Sequence, residues 1–166
     1  MPKGPAARIT DPVQHPLPPV LTGGPTAITV IIGFLPAWRG VNPAAAAALQ
    51  VAKKISDAAI EVAETATKAA AGTPGLPAAK AAEELVKAGA ATAMGSMITG
   101  MAAGADIHAC LTLLPIPPHG PGVVITPSAT VMIAGMPAAR QGDTILEAVG
   151  PPNKIMKGEM TVTIGG

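Results

Sequence analysis

A four-residue motif occurs twice in this chain of 166 residues, and a near copy occurs once more. The identical copies are Pro-Ala-Ala-Arg at 5–8 and 137–140, and the near copy is Pro-Ala-Trp-Arg at 36–39. The motif arginines are each followed after three positions by an acidic or amide residue: Arg8 by Asp11, Arg39 by Asn42, and Arg140 by Asp143. A repeat of this kind implies one structural unit built several times, so it constrains the fold more than local propensity does.

A strand pattern is repeated together with the motif. Residues 29–39 align without a gap on residues 130–140, and both segments begin with a run rich in Thr, Val and Ile. Residues 161–166 repeat the strand a third time, and the missing half of that unit is the copy that opens the chain. Such runs bounded by Gly and Pro are typical of β-strands. The sequence therefore predicts three β units in circularly permuted order, with the two chain ends meeting to complete one unit.

The spacing between motif and strand locates an insertion in the second unit. Twenty-four positions separate the motif from the next strand in the first and third units, and 94 separate them in the second, an excess of 70. The inserted segment is rich in Ala, has Pro43 near its start and contains a Gly-Thr-Pro-Gly break at 72–75. These features predict helices at roughly 43–71 and 77–103, paired as an antiparallel hairpin. A helical apolar stripe is expected to form the packed face of the first helix: Ala52, Ile55, Ala59, Val62 and Ala66.

Composition excludes several classes of protein. The formal net charge is +1 and there is no basic run, which gives no basis for nucleic-acid binding. One cysteine excludes an internal disulfide, and Lys3 is followed by Pro and polar residues instead of the apolar core of a signal peptide. The β part has roughly 100 residues and few aromatic side chains, and small cores of this size often need a staple.

An uncharged run at 88–105 leaves two interpretations open. Its 18 residues reach the lower limit for a membrane-spanning helix. Most of them are small, and Gly100 and Gly104 have the spacing that lets helices approach closely. The run is therefore either a helix packed against its partner helix through small residues or a segment that enters a membrane.

A candidate metal site combines every histidine of the chain with its only cysteine: His15, His108, Cys110 and His119. His108 and Cys110 are two positions apart, so in a strand they share a face. Three imidazoles and one thiolate form a closed tetrahedral set that is typical of structural zinc and has no open position for catalysis. Convergence of the three units on one axis would bring His15 to the same point. The sequence predicts one zinc ion per chain, with iron as the alternative metal; in the competing interpretation these four residues share no site.

The repeated arginines have two interpretations. They either hydrogen-bond the residue three positions further on in their own unit, which is the favoured interpretation, or contribute to docking on a partner. Asp106 and Glu147 could suggest acid–base chemistry, but as lone acids in loops both are expected to be solvated. No paired carboxylates and no Ser/His/Asp order indicate catalysis.

These residues together resemble the PAAR-repeat family, the small proteins that sharpen the spike of contractile injection machines. The resemblance covers residues 1–42 and about 105–166. It depends on the two Pro-Ala-Ala-Arg motifs, the Gln-Gly-Asp that follows the second, the Asp11-to-His15 spacing and the Pro-Pro-His-Gly run at 117–120. It implies a mainly β fold, a short pseudo-three-fold β cone that carries 43–104 as an inserted antiparallel α-helical hairpin. The family's three-histidine, one-cysteine zinc set would fall on the four residues named above, and Trp38 in place of Ala is expected to alter packing more than function.

The resemblance also implies a function. Such a protein is a metal-stapled tip that caps the trimeric VgrG-type spike of a type VI or related contractile secretion system, contacts the target membrane transiently during puncture and attaches effectors. It is not an enzyme; it is made in the bacterial cytoplasm without a signal peptide, loaded on the apparatus and delivered outside or into a target cell. The alternative is an effector-class tip protein whose hairpin inserts in a membrane or binds a chaperone. If the chain is complete at Gly166, directly after the last strand, any toxin is expected to be bound non-covalently or to lie on another chain.

Overall fold

The computed structural model describes residues 3–14, 20–24, 27–110 and 119–166, except for the side chain of Cys110. Small antiparallel sheets and one helical hairpin make up this part of the chain, which confirms the predicted fold class. The elements, in chain order, are β1 Gly4–Ala6, β2 Ala27–Ile32, β3 Leu35–Ala37, α1 Pro43–Ala69, α2 Leu76–Ala102, β4 Ile107–Cys110, β5 Gly120–Val124, β6 Met132–Ile133, β7 Met136–Pro137, β8 Thr144–Glu147, β9 Asn153–Lys154 and β10 Glu159–Ile164.

Three two-stranded ribbons, which we call the base ribbons, share one pairing register. They are β2–β3, β6–β7 and β10–β1, and all three are antiparallel. The proline of each motif pairs with the same position of the preceding strand: Pro36 with Ile31, Pro137 with Met132 and Pro5 with Thr163. Since β1 opens the chain and β10 closes it, the two ends complete one repeat, as the permuted order predicts.

Backbone hydrogen bonds join the three motifs in a closed ring. The amide of Ala7 donates to the carbonyl of Ala139 at 3.0 Å, that of Trp38 to Ala7 at 2.8 Å, and that of Ala139 to Trp38 at 2.9 Å. A second ring joins flanking residues of the same units: Ile9 to Pro36 at 3.1 Å, Gly40 to Pro137 at 2.8 Å and Gln141 to Pro5 at 2.8 Å. Within each ring every unit donates to one neighbour and accepts from the other, and the second ring runs in the opposite direction to the first. The three motifs are therefore related by pseudo-three-fold symmetry in one chain.

The core inside this ring breaks the symmetry. Ala7, Trp38 and Ala139 occupy equivalent positions and all three are buried. One large and two small side chains thus fill the space around the axis. They pack with a shell of aliphatic residues that the three repeats share: Val13, Leu21, Val124, Ile145 and Ile155. Trp38 is accommodated as a core residue, in agreement with a role in packing.

The inserted segment forms the predicted antiparallel helical pair. α1 begins at Pro43, and the side chain of Asn42 accepts a hydrogen bond from the amide of Ala45 at 2.9 Å, which satisfies one of the free N–H groups at a helix start. The half of the pair nearest the β part is buried in a shared core, and the distal half is mostly exposed. That core includes residues of both helices and of β5 and β8: Leu49, Met94, Ile98, Val123 and Leu146. Among the described helices none is long and apolar enough to cross a membrane.

The predicted packed stripe of α1 is wrong. Ile55 is 68% exposed and Val62 is 71% exposed. Thr67, on another face, donates a hydrogen bond to the carbonyl of Ala79 on α2 at 3.2 Å. Because alanine covers several faces of this helix, its hydrophobic period does not determine which face packs against α2.

Candidate metal centre

An arginine–aspartate clamp closes the first and third repeats. The amide of Arg8 donates to the Asp11 carboxylate at 2.7 Å, its Nη2 lies 2.9 Å from the same carboxylate, and the amide of Asp11 returns a bond to the Arg8 carbonyl at 3.2 Å. Arg140 and Asp143 reproduce the arrangement, with amide and Nε distances of 2.8 and 3.1 Å and a return bond of 3.2 Å. Each clamp therefore fixes a turn through its backbone and an ion pair together.

The second repeat contains the same clamp with a different aspartate. The amide of Arg39 donates to Asp106 at 2.8 Å, its Nη2 lies 2.7 Å from that carboxylate, and the amide of Asp106 returns a bond to the Arg39 carbonyl at 3.2 Å. The prediction of Asn42 as the partner is wrong, because the insertion interrupts the turn itself and Asn42 caps α1 instead. The expectation that Asp106 is solvated is also wrong, since it is fully buried.

The clamp gives the insertion its boundaries. Arg39 and Asp106 are 67 positions apart, whereas the other pairs are 3 apart, so 64 residues, 42–105, separate the two halves of one turn. Val41 keeps the hydrogen bond that is equivalent to that of Thr10 in the first repeat. The amide of Val41 donates to the carbonyl of Val124 at 3.0 Å, and the amide of Thr10 donates to the carbonyl of Leu21 at 2.9 Å. The other six of the 70 extra positions lie after Asp106.

Burial raises the pKa of the aspartate in two of the clamps. It raises the pKa of Asp143 to about 6, although the Arg140 guanidinium acts in the opposite direction. It raises the pKa of Asp106 as well, again against the effect of Arg39. For both carboxylates the loss of hydration outweighs the ion pair, as is common for buried pairs.

The motif arginines also reach the base ribbons. Nη1 of Arg8 lies 3.3 Å from the carbonyl of Gly33 and 2.5 Å from the Glu159 carboxylate. Nη1 of Arg140 lies 3.2 Å from the carbonyl of Gly165, which is the position equivalent to Gly33 in the repeat. These arginines therefore connect the motif of one unit to the strand end of another.

A four-stranded sheet, β4–β5–β8–β9, brings together distant parts of the chain. In its register His108 pairs with Gly122, and Gly122 pairs with Glu147. A Cβ atom at position 122 would lie 2.9 Å from Cγ of Glu147. Because Gly122 has no side chain, the side chains of His108 and Glu147 can approach each other across β5.

The Glu147 carboxylate lies between two histidines. Its Oε2 is 2.9 Å from Nδ1 of His119, and its Oε1 is 3.7 Å from Nε2 of His108. Nδ2 of Asn153 lies 3.4 Å from Oε1. Glu147 and His108 are each 1% exposed, and the amide of Thr22 donates to Nδ1 of His108 at 3.3 Å. The expectation of a solvated Glu147 is thus wrong.

Two of the four predicted ligands are placed by these contacts. His108 and His119 both adjoin the Glu147 carboxylate, and Cys110 pairs in β4 with Gly120, the residue after His119. His15 and the side chain of Cys110 lie outside the described residues. In the part of the chain that is described, no three His, Cys, Asp or Glu side chains surround a common point as metal ligands. The four-ligand set therefore stays a prediction.

The chemistry of His119 fits a zinc ligand. Both ring nitrogens of His108 face other groups in this structure, because Nδ1 accepts from the Thr22 amide and Nε2 lies 3.7 Å from Glu147, so His108 binds an ion only if one of these contacts is replaced. Imidazole nitrogens are usual zinc ligands, and a carboxylate hydrogen-bonded to the second nitrogen of a ligating histidine is a frequent companion. The His119–Glu147 pair at 2.9 Å has that form. Sequence reasoning placed Glu147 in solvent, although an acid inside the apolar run Ile-Leu-Glu-Ala-Val at 145–149 was a signal of burial.

A cleft of about 610 Å³ separates part of the hairpin from this centre. His119, which keeps a small exposed fraction, lines it together with Val149 and Gly150. The opposite wall consists of residues from both helices: Asp57, Ile60, Glu61, Glu64 and Lys87. The insertion therefore forms one side of the space next to His119.

Comparison with family models gives one match, at residues 116–166, to the family described as PAAR motif. Residues 116–166 carry a PAAR motif. The match supports the PAAR-repeat resemblance, and this family consists of structural spike-tip proteins of contractile secretion systems. No curated protein and no solved structure gave a match.

The PAAR match spans the third repeat, which holds His119, Arg140 and Glu147. The first repeat has the same arginine–aspartate clamp within its own turn, and the second has it across the insertion. The two hydrogen-bonded rings bind both of them to the matched segment. The arginine–aspartate clamp of the matched segment thus recurs in the other two repeats.

Proposed function

We propose that this protein is a non-enzymatic, metal-stapled tip that caps a trimeric VgrG-type spike of a contractile secretion system. The observation that supports this most is the closed ring of three motifs in one chain. A trimer of β-rich subunits ends in three equivalent strand edges, which invite aggregation when exposed. A single chain with three equivalent ribbons offers one to each edge.

The base ribbons present a surface suited to such docking. Ile31 and Met132, at equivalent positions of β2 and β6, are 54% and 55% exposed. Ile28 and Met160 are 75% and 70% exposed, and Phe34, in the turn between β2 and β3, is 97% exposed. Exposed apolar side chains on all three base ribbons are typical of an interaction surface. We assign it to the spike.

The metal would act as a staple. We propose one zinc ion per chain, with iron as the alternative, held by His108, His119, Cys110 and His15. Four protein ligands leave no open coordination position, which suits stabilisation and excludes metal catalysis at that ion. Binding to the folded state alone adds to the free energy of unfolding.

Docking on a purified trimeric spike tests the proposal. Ile31→Asp and Met132→Asp place charges on two equivalent base positions, and Ile55→Asp, on the exposed face of α1, is the control. We expect the two base variants to lose binding in biolayer interferometry and the control to bind like the parent. Equal binding by all four proteins would contradict base docking.

One observation favours a second candidate, an effector-class tip protein. An apolar groove of about 490 Å³ runs along the hairpin, with Ile55, Leu85 and Met97 in its lining. In this candidate the groove binds an effector or a chaperone, or the hairpin enters a membrane. Co-purification with a protein encoded by a neighbouring gene tests binding of an effector or chaperone. Liposome flotation tests membrane entry, because only a hairpin that enters a membrane brings the protein into the lipid fraction. In either candidate the protein is made in the bacterial cytoplasm and loaded on the apparatus.

A further inference from the structure

We propose that Glu147 is a positioning residue of the metal centre, which holds His119 so that its Nε2 faces the ion. The inference depends on the proposed metal site and adds to it a residue outside the predicted ligand set. Glu147 lies on β8, 28 positions from His119 along the chain. Strand pairing, and not sequence proximity, places the two together.

Packing alone does not explain why the Glu147 carboxylate is buried. A carboxylate with 1% exposure loses nearly all its hydration, which is costly unless it is paired and hydrogen-bonded. In the described part of the chain its basic neighbours are the imidazoles of His108 and His119, and not an arginine or lysine. By contrast, the buried Asp106 and Asp143 each pair with a motif arginine. Glu147 therefore differs from Asp106 and Asp143 in having imidazoles, and not a guanidinium, beside its buried carboxylate.

The hydrogen bond fixes which nitrogen of His119 can bind a metal. An ionised carboxylate only accepts hydrogen bonds, so at 2.9 Å the proton of a neutral His119 lies on Nδ1. Nε2 then keeps its lone pair, which is the form in which imidazole binds zinc. Such a carboxylate also fixes the ring orientation of the ligand.

A glycine on the other side of the ring completes the arrangement. Gly150 has φ +89°, and a Cβ atom there would lie 3.2 Å from Nε2 of His119. A larger residue at position 150 would therefore crowd the imidazole, and glycine leaves room for the ring. The hydrogen bond that Nδ1 donates to Glu147 is then the contact that orients the imidazole.

Zinc affinity and a cobalt spectrum test this role. The parent, Glu147→Gln, Glu147→Ala and Asp106→Asn are compared by competition with a chromogenic chelator and by the visible absorption of their Co²⁺ forms. Glu147→Ala should lower zinc affinity about 10–100-fold, and Glu147→Gln, whose amide oxygen can still accept from Nδ1, should lower it less. Asp106→Asn removes a buried acid from a clamp and should leave zinc affinity unchanged even if it lowers the Tm. The cobalt bands of Glu147→Gln should match those of the parent.

Several results would overturn the inference. Affinities of both Glu147 variants within twofold of the parent would show that the carboxylate does not position His119. An altered cobalt spectrum in Glu147→Gln would make Glu147 a direct ligand instead. Absence of zinc binding in the parent would refute the metal site itself, whereas zinc binding with unchanged Glu147 variants would refute only this inference.

Discussion

Deleting residues 42–105 would restore in the second repeat the short turn of the other two. In the shortened chain Val41 precedes Asp106 directly, and Arg39 is again three positions from its aspartate. The residue before the aspartate has φ +67° at Thr10 and φ +90° at Gly142, so position 41 must adopt the left-handed region once the turn is closed. We therefore combine the deletion with Val41→Gly, which removes a strain of about 1–2 kcal/mol.

The deletion also uncovers part of the β core. Val123, Leu146 and Ala148 are buried against the hairpin in the full protein. Full exposure of a Val or Leu side chain costs about 1.5–3 kcal/mol, so the loss should be about 3–6 kcal/mol relative to the full chain. The shortened protein should keep cooperative unfolding in the presence of zinc.

Urea unfolding followed by Trp38 fluorescence measures the outcome. Trp38 is the only tryptophan and is fully buried in the ring, so its emission reports on the part that must survive. The deletion that retains Val41 is the matched control and should be less stable than the deletion that carries Val41→Gly. Equal stability of the two shortened proteins, or a Val41→Gly protein without a cooperative transition, would refute the claim that the insertion merely interrupts a clamp.

Three further predictions concern single residues. His119→Ala should bring bound zinc well below one ion per chain and lower the Tm by roughly 5 °C or more; unchanged values in both assays, with Lys157→Ala as the surface control, would argue against the metal site. Phe34→Ala should weaken docking on the spike about tenfold, whereas Val62→Ala, at an exposed apolar position of the hairpin, should not; equal affinities would remove Phe34 from the interface. Because burial raises the pKa of Asp143 from 3.8 to about 6, the folded state holds a proton that the unfolded chain has lost, so this group makes the free energy of unfolding fall as the pH rises from about 4 to about 6. Asp143→Asn should flatten that part of the profile in urea titrations, and a slope equal to that of the parent would contradict the prediction.

The repeated motif predicted the architecture because symmetry is visible in spacing. Counting positions was sufficient to expect that the chain ends meet and that a helical hairpin lies in the second repeat. Counting positions did not predict the partner of Arg39, because the insertion begins inside the turn and moves the aspartate to position 106. The position of Glu147 beside the histidines was not predicted for a related reason: it depends on strand register, which a single sequence does not display. The packed face of α1 was missed because alanine makes several faces equally apolar.

The stoichiometry of the complex with the spike tests the central claim most directly. A chain with three equivalent motifs in one closed ring should cap a trimer once, with one ribbon on each subunit. Native mass spectrometry of the purified complex, at excess of this protein, should therefore show one copy per spike trimer. Three copies per trimer, or no complex, would contradict the account.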